Sequence, residues 1–362
     1  MENYIYLFVL VLILSCANVI KPNGGPIDRS PPIVLKLVPS NNSTNFNEEK
    51  IIIYFDENVV VNNIGNIHTQ PEPNLIEKIN TTGKGLEIYL KKDLINKTTY
   101  IIDFQGAITD LNEGNKLSDF KYVFSTGDII DSSVVYGKVT ELEYNKVITN
   151  GLVGLYIGDV IEEFDSLIRV KKPDFFCFTN KEGGYNYTNL KNGTYTLMCI
   201  NDENLNLKYE KNELVSMPKL VNLKDSIEKN INVFLDERYI YLIQENDSLK
   251  ELNRQNDSLI IKPEYGFLNL FFNNNIYRAK NYIGQITQKD KVLNTFNIHD
   301  SIITIDSIKT GSYQLRLIQD LNNNQKWDSG NIKTLKNPEN IFFFKDSIKI
   351  RANWELNLNI DI

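Results

Sequence analysis

The sequence predicts an all-β protein built as three β-sandwiches in tandem, and three observations predict it. Short β-branched and aromatic runs, such as KIIIYF at 50–55, GLEIYL at 85–90 and TYIIDF at 99–104, recur along the 362 residues. Asn, Asp, Gly and Lys turns separate them roughly every 8–12 residues, the spacing of sandwich strands. No segment carries a long amphipathic helical period with caps; the closest, 237–259, reads as a short helix or an extended linker. One sandwich edge also occurs twice. Residues 190–213 align without gaps to 308–331, matching Gly193 with Gly311, Tyr195 with Tyr313, Leu197 with Leu315 and Asp202 with Asp320. Asn204 and Asn206 match Asn322 and Asn324 in the same alignment.

Taken in order, the chain opens on an apolar run at 4–14 that meets Ser15 and Cys16. The run is too short for a membrane-spanning helix, which needs about 20 residues, and fits the apolar core of a signal peptide. Small Ser15 before Cys16, with Leu12 and Leu14 upstream, resembles the lipobox of exported lipoproteins. That resemblance implies removal of residues 1–15 and lipid on the Cys16 sulfur, several acyl chains together giving a stable anchor. The usual basic start is missing, since MENYIY carries Glu2 and no Lys or Arg. A buried N-terminal strand ending in an ordinary cysteine is the alternative. Residues 16–30 read as a tether, because the Pro- and Gly-rich stretch after Cys16 shows no periodicity.

The first unit spans 31–126. Ile51, Ile53 and Phe55 alternate inward, and Asn41, Asn42 and Asn45 supply turn conformations. The Pro-Pro opening, the P-x-N-x-S-T-N turn, the F-x-E-x-V strand and the closing F-S-T-G resemble, in that order, the SbsA-type bacterial Ig-like domain. The second unit, 134–236, has a G-x-V strand at 137–139, a hairpin at Gly183 and Gly184, and N-L-x-x-G-x-Y at 189–195. These resemble the carboxypeptidase-regulatory-like, or prealbumin-like, β-sandwich. After a linker at 237–263, the repeat makes 264–362 a second prealbumin-like sandwich. The whole order, with R-A-N-W at 351–354, resembles a family of Bacteroidota envelope lipoproteins.

Composition bounds the rest. Hydrophobic residues make up 42% of the chain, enough for real cores, and the net charge is −7 with no basic stripe, which excludes a nucleic-acid binder. Beyond Cys16 there are two cysteines, Cys177 and Cys199, each in an apparent strand. In an oxidising envelope they either pair in a disulfide or stay as two buried thiols.

Candidate chemistry is sparse. Asp320, Asn322, Asn324 and Asp328 stand at positions 1, 3, 5 and 9 of a calcium-loop spacing, where alternate oxygens of a turning loop converge on a hard cation. Gln325 stands where such a loop has Gly, and Asn331 where it has Glu. The match is weaker at Asp202, Asn204 and Asn206, followed by Tyr209 and Glu210. The alternative for both is an Asn-rich turn bonded to its own side chains. The triplet Asp-Ser-Leu/Ile recurs with its serine at Ser166, Ser226, Ser248, Ser258, Ser301, Ser307 and Ser347. It resembles the O-glycosylation sequon of Bacteroidota exported proteins, and it also suits a plain turn into a strand. His68 and His299 fall in different units and read as surface residues. Trp327 and Trp354 read as core, with sugar stacking as the alternative; Trp327 aligns with Tyr209.

With no catalytic constellation, Gly-rich phosphate loop or Cys/His metal spacing, the sequence predicts a non-enzymatic, outer-membrane-associated lipoprotein. It would act as a structural or interaction scaffold with envelope protein partners. A glycan- or peptide-binding module is the alternative, and a hydrolase with an unrecognised site a more distant one. No cofactor is implied beyond the candidate calcium. No acid lies in 17–25, which under the lipoprotein resemblance implies the periplasmic face over the cell surface.

Overall fold

The computed structural model describes residues 27–71, 75–240, 264–273, 276, 278 and 281–361. The signal peptide, Cys16, Ser248, Ser258 and linker residues 241–263 lie outside the described residues. Elsewhere the chain is mostly strand, arranged in three successive β-sandwiches.

The first has a four-stranded sheet ordered Val34–Val38, Lys50–Phe55, Gly85–Leu90, Ile76–Thr82. A three-stranded sheet of His68–Gln70, Thr99–Asp103 and Lys121–Ser125 shares its core, and Val59–Val61 pairs with Ile108–Asp110. Ile51, Ile53 and Phe55 are buried from one sheet, and Tyr100, Tyr122 and Phe124 from the other. Alternation along a pleated strand puts every second side chain on the core face, which is why the pattern was readable. Asn42 and Asn45 sit at φ 60° and 49°, and the Asn41 side chain accepts from the Val123 backbone N–H at 2.7 Å. That bond ties the opening turn to the closing strand. Asn115 Nδ2 donates to the Asp28 carbonyl, so the folded unit begins inside the segment assigned to the tether.

The middle sandwich is one sheet of nine strands folded over on itself. Gly193–Ile200 makes the fold possible by dividing its partners: its first half pairs with Lys219–Leu223, its end with Leu214–Ser216. Ser133–Glu141 does the same, pairing antiparallel with Gly184–Leu190 and parallel with Ile231–Leu235. The third sandwich repeats this plan. Gly311–Gln319 pairs with Ile348–Ile350 near its start and Ile341–Phe343 near its end, and Tyr265–Phe272 runs parallel to Glu355–Ile360. Tyr195 and Tyr313 play one role in the two copies. Each hydroxyl donates to the backbone carbonyl four residues earlier, Lys191 at 2.7 Å and Lys309 at 2.6 Å.

A helix at Phe164–Val170 was not foreseen. Its seven residues are too few to show a helical period, yet Phe164 and Ile168, one turn apart, are both buried against the outer face of the middle sheet. The Asp165–Leu167 triplet therefore lies in a helix, not at the entry to a strand.

Candidate functional site

A cluster of buried and partly buried polar side chains joins the middle and C-terminal sandwiches. Tyr156, Met198, Ile200, Val215 and Phe234 form an apolar cluster outside the main core, and Ile332 and Trp327 of the third sandwich pack into it. Burial of such side chains contributes about 1.5–3 kcal/mol each. Asp236, 0% exposed, stands beside this seam. Its carboxylate accepts from the Ile332 N–H at 3.1 Å, the Arg238 N–H at 3.0 Å, and Arg238 Nε and Nη2 at 2.8 Å. Arg238 continues to Asp165 at 3.0 and 2.8 Å, and Asp165 also takes Arg169 at 2.9 Å. Burial opposes charge on Asp165, but bonds from Arg238 and Arg169 prevail and hold its carboxyl below the usual range. Glu237 accepts from Asn331 Nδ2 at 2.8 Å and Lys336 Nζ at 3.0 Å, and Ser329 Oγ donates to the Leu235 carbonyl. The segment Glu237–Tyr239, assigned to the linker, is thus part of the seam.

The seam between the first and middle sandwiches is looser. Gln70 Nε2 donates to the buried Phe176 carbonyl at 2.6 Å, and Thr99 and Asp131 exchange bonds at 2.8 and 2.9 Å. His68 stands edge-on to Phe176, ring centres 4.9 Å apart, and faces two cavities of about 300 and 780 Å3. It is half-buried, correcting the surface reading, and burial lowers its pKa so that the neutral imidazole is favoured. His299 is exposed.

The Asp-Asn loops close on themselves. Asp320 accepts from the Asn324 N–H at 3.1 Å and the Gln325 N–H at 2.8 Å; Asn322 accepts from Asn324 N at 3.0 Å. Asp328 accepts the side-chain amides of Asn322 at 2.5 Å and Asn324 at 3.0 Å. Gln325 takes φ 63°, the conformation for which a calcium loop normally uses glycine, and Leu207 does so in the other copy. That copy repeats the bonds, with Asp202 accepting from Asn206 N at 3.2 Å and Leu207 N at 2.7 Å. Glu210 is its counterpart of Asp328, and Glu213 stands at the twelfth position, so the Asp202 loop is the fuller match, contrary to the sequence reading. Glu213 accepts from Glu210 N at 2.8 Å; Glu339, elsewhere in sequence, accepts from Leu321 N and Asp328 N and braces the Asp320 loop. Burial, with Asp202 nearby, pushes the Glu213 carboxyl up to about 7. Among the described residues no three His, Cys, Asp or Glu side chains converge as a metal group. EDTA is expected to shift the melting temperature by less than about 1 °C, below the roughly 2–4 °C that 1 kcal/mol of bound calcium would contribute. A rise of several degrees on adding calcium would show that a loop takes the ion.

Cys177 and Cys199 are free thiols, the second of the two alternatives, and do not form the disulfide. Both pair with Val153, one on each side, so two strand spacings, about 9.6 Å, separate their Cα atoms, beyond the roughly 7 Å a disulfide reaches. Burial pushes the Cys177 thiol up to about 11. Trp354 is 64% exposed beneath the Arg351 guanidinium, so it is not core, whereas Trp327 packs at the seam and donates Nε1–H to the Glu339 carbonyl at 3.0 Å. Ser166, Ser226, Ser301, Ser307 and Ser347 are all exposed, as both a glycan acceptor and a turn residue would be. Ser226, Ser301 and Ser347 precede strands; Ser307 lies inside one, at φ 60°.

These features define a chain of linked sandwiches whose most elaborate construction lies between domains. Residues 28–126 match the family model described as a bacterial Ig-like domain, which covers the first sandwich. No curated protein matches the chain. Among solved structures, the Bacillus anthracis TIE protein is 11% identical, TM-score 0.19, covering 99% of this chain and 62% of its own, so the chain spans less than two thirds of its length. The minor pilin of Streptococcus agalactiae is 14% identical, TM-score 0.21, covering 63% of this chain and 94% of its own. The major pilin subunit of Bacillus cereus is 11% identical, TM-score 0.19, covering 51% and 64%. Likenesses at this level assign no function.

Proposed function

We propose that this chain is a non-enzymatic envelope lipoprotein, a stiff spacer and interaction scaffold held to the outer membrane through Cys16, on its periplasmic face, with envelope proteins as partners. The observation that supports it best is the seam around Asp236. Two domains that share an apolar cluster and a buried ionic network behave as one block, and a block of that kind holds a surface at fixed distance from an anchor. No helix of the described residues is long and apolar enough to cross a membrane.

Cys16→Ser is expected to move the protein from the membrane fraction to the soluble fraction. A pull-down with the wild-type chain from solubilised membranes is expected to recover partner proteins. Retention of the variant on membranes, or recovery of a bare monomer, would refute the scaffold. Binding of a glycan or peptide in the mixed polar and apolar crevice beside His68, about 780 Å3, is the second reading. Saturable binding by the isolated chain, with no protein partner recovered, would favour it.

A further inference from the structure

A third cleft, about 590 Å3, opens between the middle and C-terminal sandwiches, lined by Arg316, Lys289, Lys345, Glu143, Asp290 and Phe344 among others. Arg316 is only 4% exposed, and no carboxylate reaches ion-pair distance of it among the described residues. Its Nε donates to Gln285 Oε1 at 2.8 Å and its Nη1 to the Glu143 carbonyl at 2.5 Å. Nη2 has no partner among the described residues and is left to the cleft that the guanidinium lines. Of the two acids that line the cleft, Asp290 is paired with Lys146 at 2.6 Å and Glu143 meets Arg316 only through its backbone carbonyl, while the Tyr144 ring centre lies 5.7 Å from the guanidinium. Burial lowers the Arg316 pKa, the mark of a charge without a full counterion.

The fold does not require a charge there. In the repeat, Arg316 corresponds to Met198, which is fully buried, and its cross-strand neighbour Gln285 corresponds to Gly154, paired with Met198. An arginine has replaced a packing residue, and a glutamine holds it in orientation. A sunken guanidinium with one free edge is costly unless an anion meets it. The free Nη2 suits one oxygen of a carboxylate or phosphate through a charge-assisted hydrogen bond, and Lys289 and Lys345 offset the acids Glu143 and Asp290 at the walls.

We propose that this cleft binds the carboxylate or phosphate group of a small ligand, with Arg316 as the anchor and Phe344 as an apolar wall. Isothermal titration of the full chain tests it with inorganic phosphate, glucuronate, and acetyl-Gly-Phe carrying a free or an amidated C-terminus. At least one anion is expected to bind one to one, with the amidated peptide at least tenfold weaker. The anion that binds distinguishes phosphate, acidic sugar and peptide terminus as its source. Arg316→Gln is expected to weaken binding at least tenfold. Because that change also removes a bond across the seam, the double variant Lys289→Gln, Lys345→Gln provides a second measure and is expected to weaken binding about threefold. No saturable binding of any anion, or affinity unchanged in Arg316→Gln or in the double variant, would overturn the proposal.

Discussion

Asp236→Ala is expected to cost about 3 kcal/mol and to divide the joint unfolding of the middle and C-terminal sandwiches into two transitions. The size follows from what the carboxylate holds. It is fully buried and takes two backbone N–H groups, one from each domain, together with two nitrogens of Arg238. Its removal leaves the Ile332 N–H without an acceptor and Arg238 with Asp165 as its remaining acid. Breaking one side of a buried pair costs about 3–5 kcal/mol, because the partner charge stays behind. The lower figure applies, since Arg238 is partly exposed and keeps Asp165. Asp165→Ala, farther out, is expected to cost about 1 kcal/mol, the scale of a hydrogen-bonded surface pair. Differential scanning calorimetry reads both effects. A single transition, shifted by less than the Asp165 variant shifts it, would show that Asp236 is not what couples the domains.

Gly137→Ala is expected to cost about 3 kcal/mol through steric conflict alone, the upper end of overpacking. A Cβ at this position would lie 2.1 Å from the Lys229 carbonyl oxygen and 2.6 Å from its carbon. Neither atom can withdraw. Val135 and Tyr136 pair with Ile227 and Glu228 just before, and Val139 pairs with Ile231 just after, so the 229–230 segment arches over Gly137. Tyr185 Oη and Asn230 Oδ1 fix that arch, the first donating to the Lys229 carbonyl and the second accepting the Lys138 N–H at 2.9 Å. Gly193→Ala is the control, its nearest contact an ordinary 3.9 Å to Tyr195, with an expected cost under about 0.5 kcal/mol. Urea denaturation compares the two, and equal midpoints would contradict the packing described.

The contrast between these positions shows what one dimension reveals. Ile51, Ile53 and Phe55 were readable because strand alternation is local, and the Gly193 and Gly311 repeat because it is written in the sequence twice. Gly137 was readable as a strand marker, but its purpose depends on Lys229, ninety-two residues away. Asp236 fell at the end of the second unit and Arg238 in the stretch read as a linker, since nothing nearby signals that Ile332 will close over them. Cys177 and Cys199 looked able to pair because strand membership is visible and the intervening strand is not. Trp354 was misread through a general tendency of tryptophan to be buried, which a turn at the sandwich end overrides. Arg316 was passed over, although its alignment with Met198 carried a signal: a charge standing where its repeat has a core residue.

The rigidity of the Asp236 seam is the claim on which a spacer function rests. Double electron–electron resonance between labels on exposed Lys181→Cys and Lys309→Cys measures it directly, with the native Cys177 and Cys199 thiols first replaced by serine or alanine. One narrow distance distribution, broadened by Asp236→Ala, is the result expected of two domains fused into a block. A broad or multiple distribution in the wild-type chain, unchanged by that substitution, would contradict it.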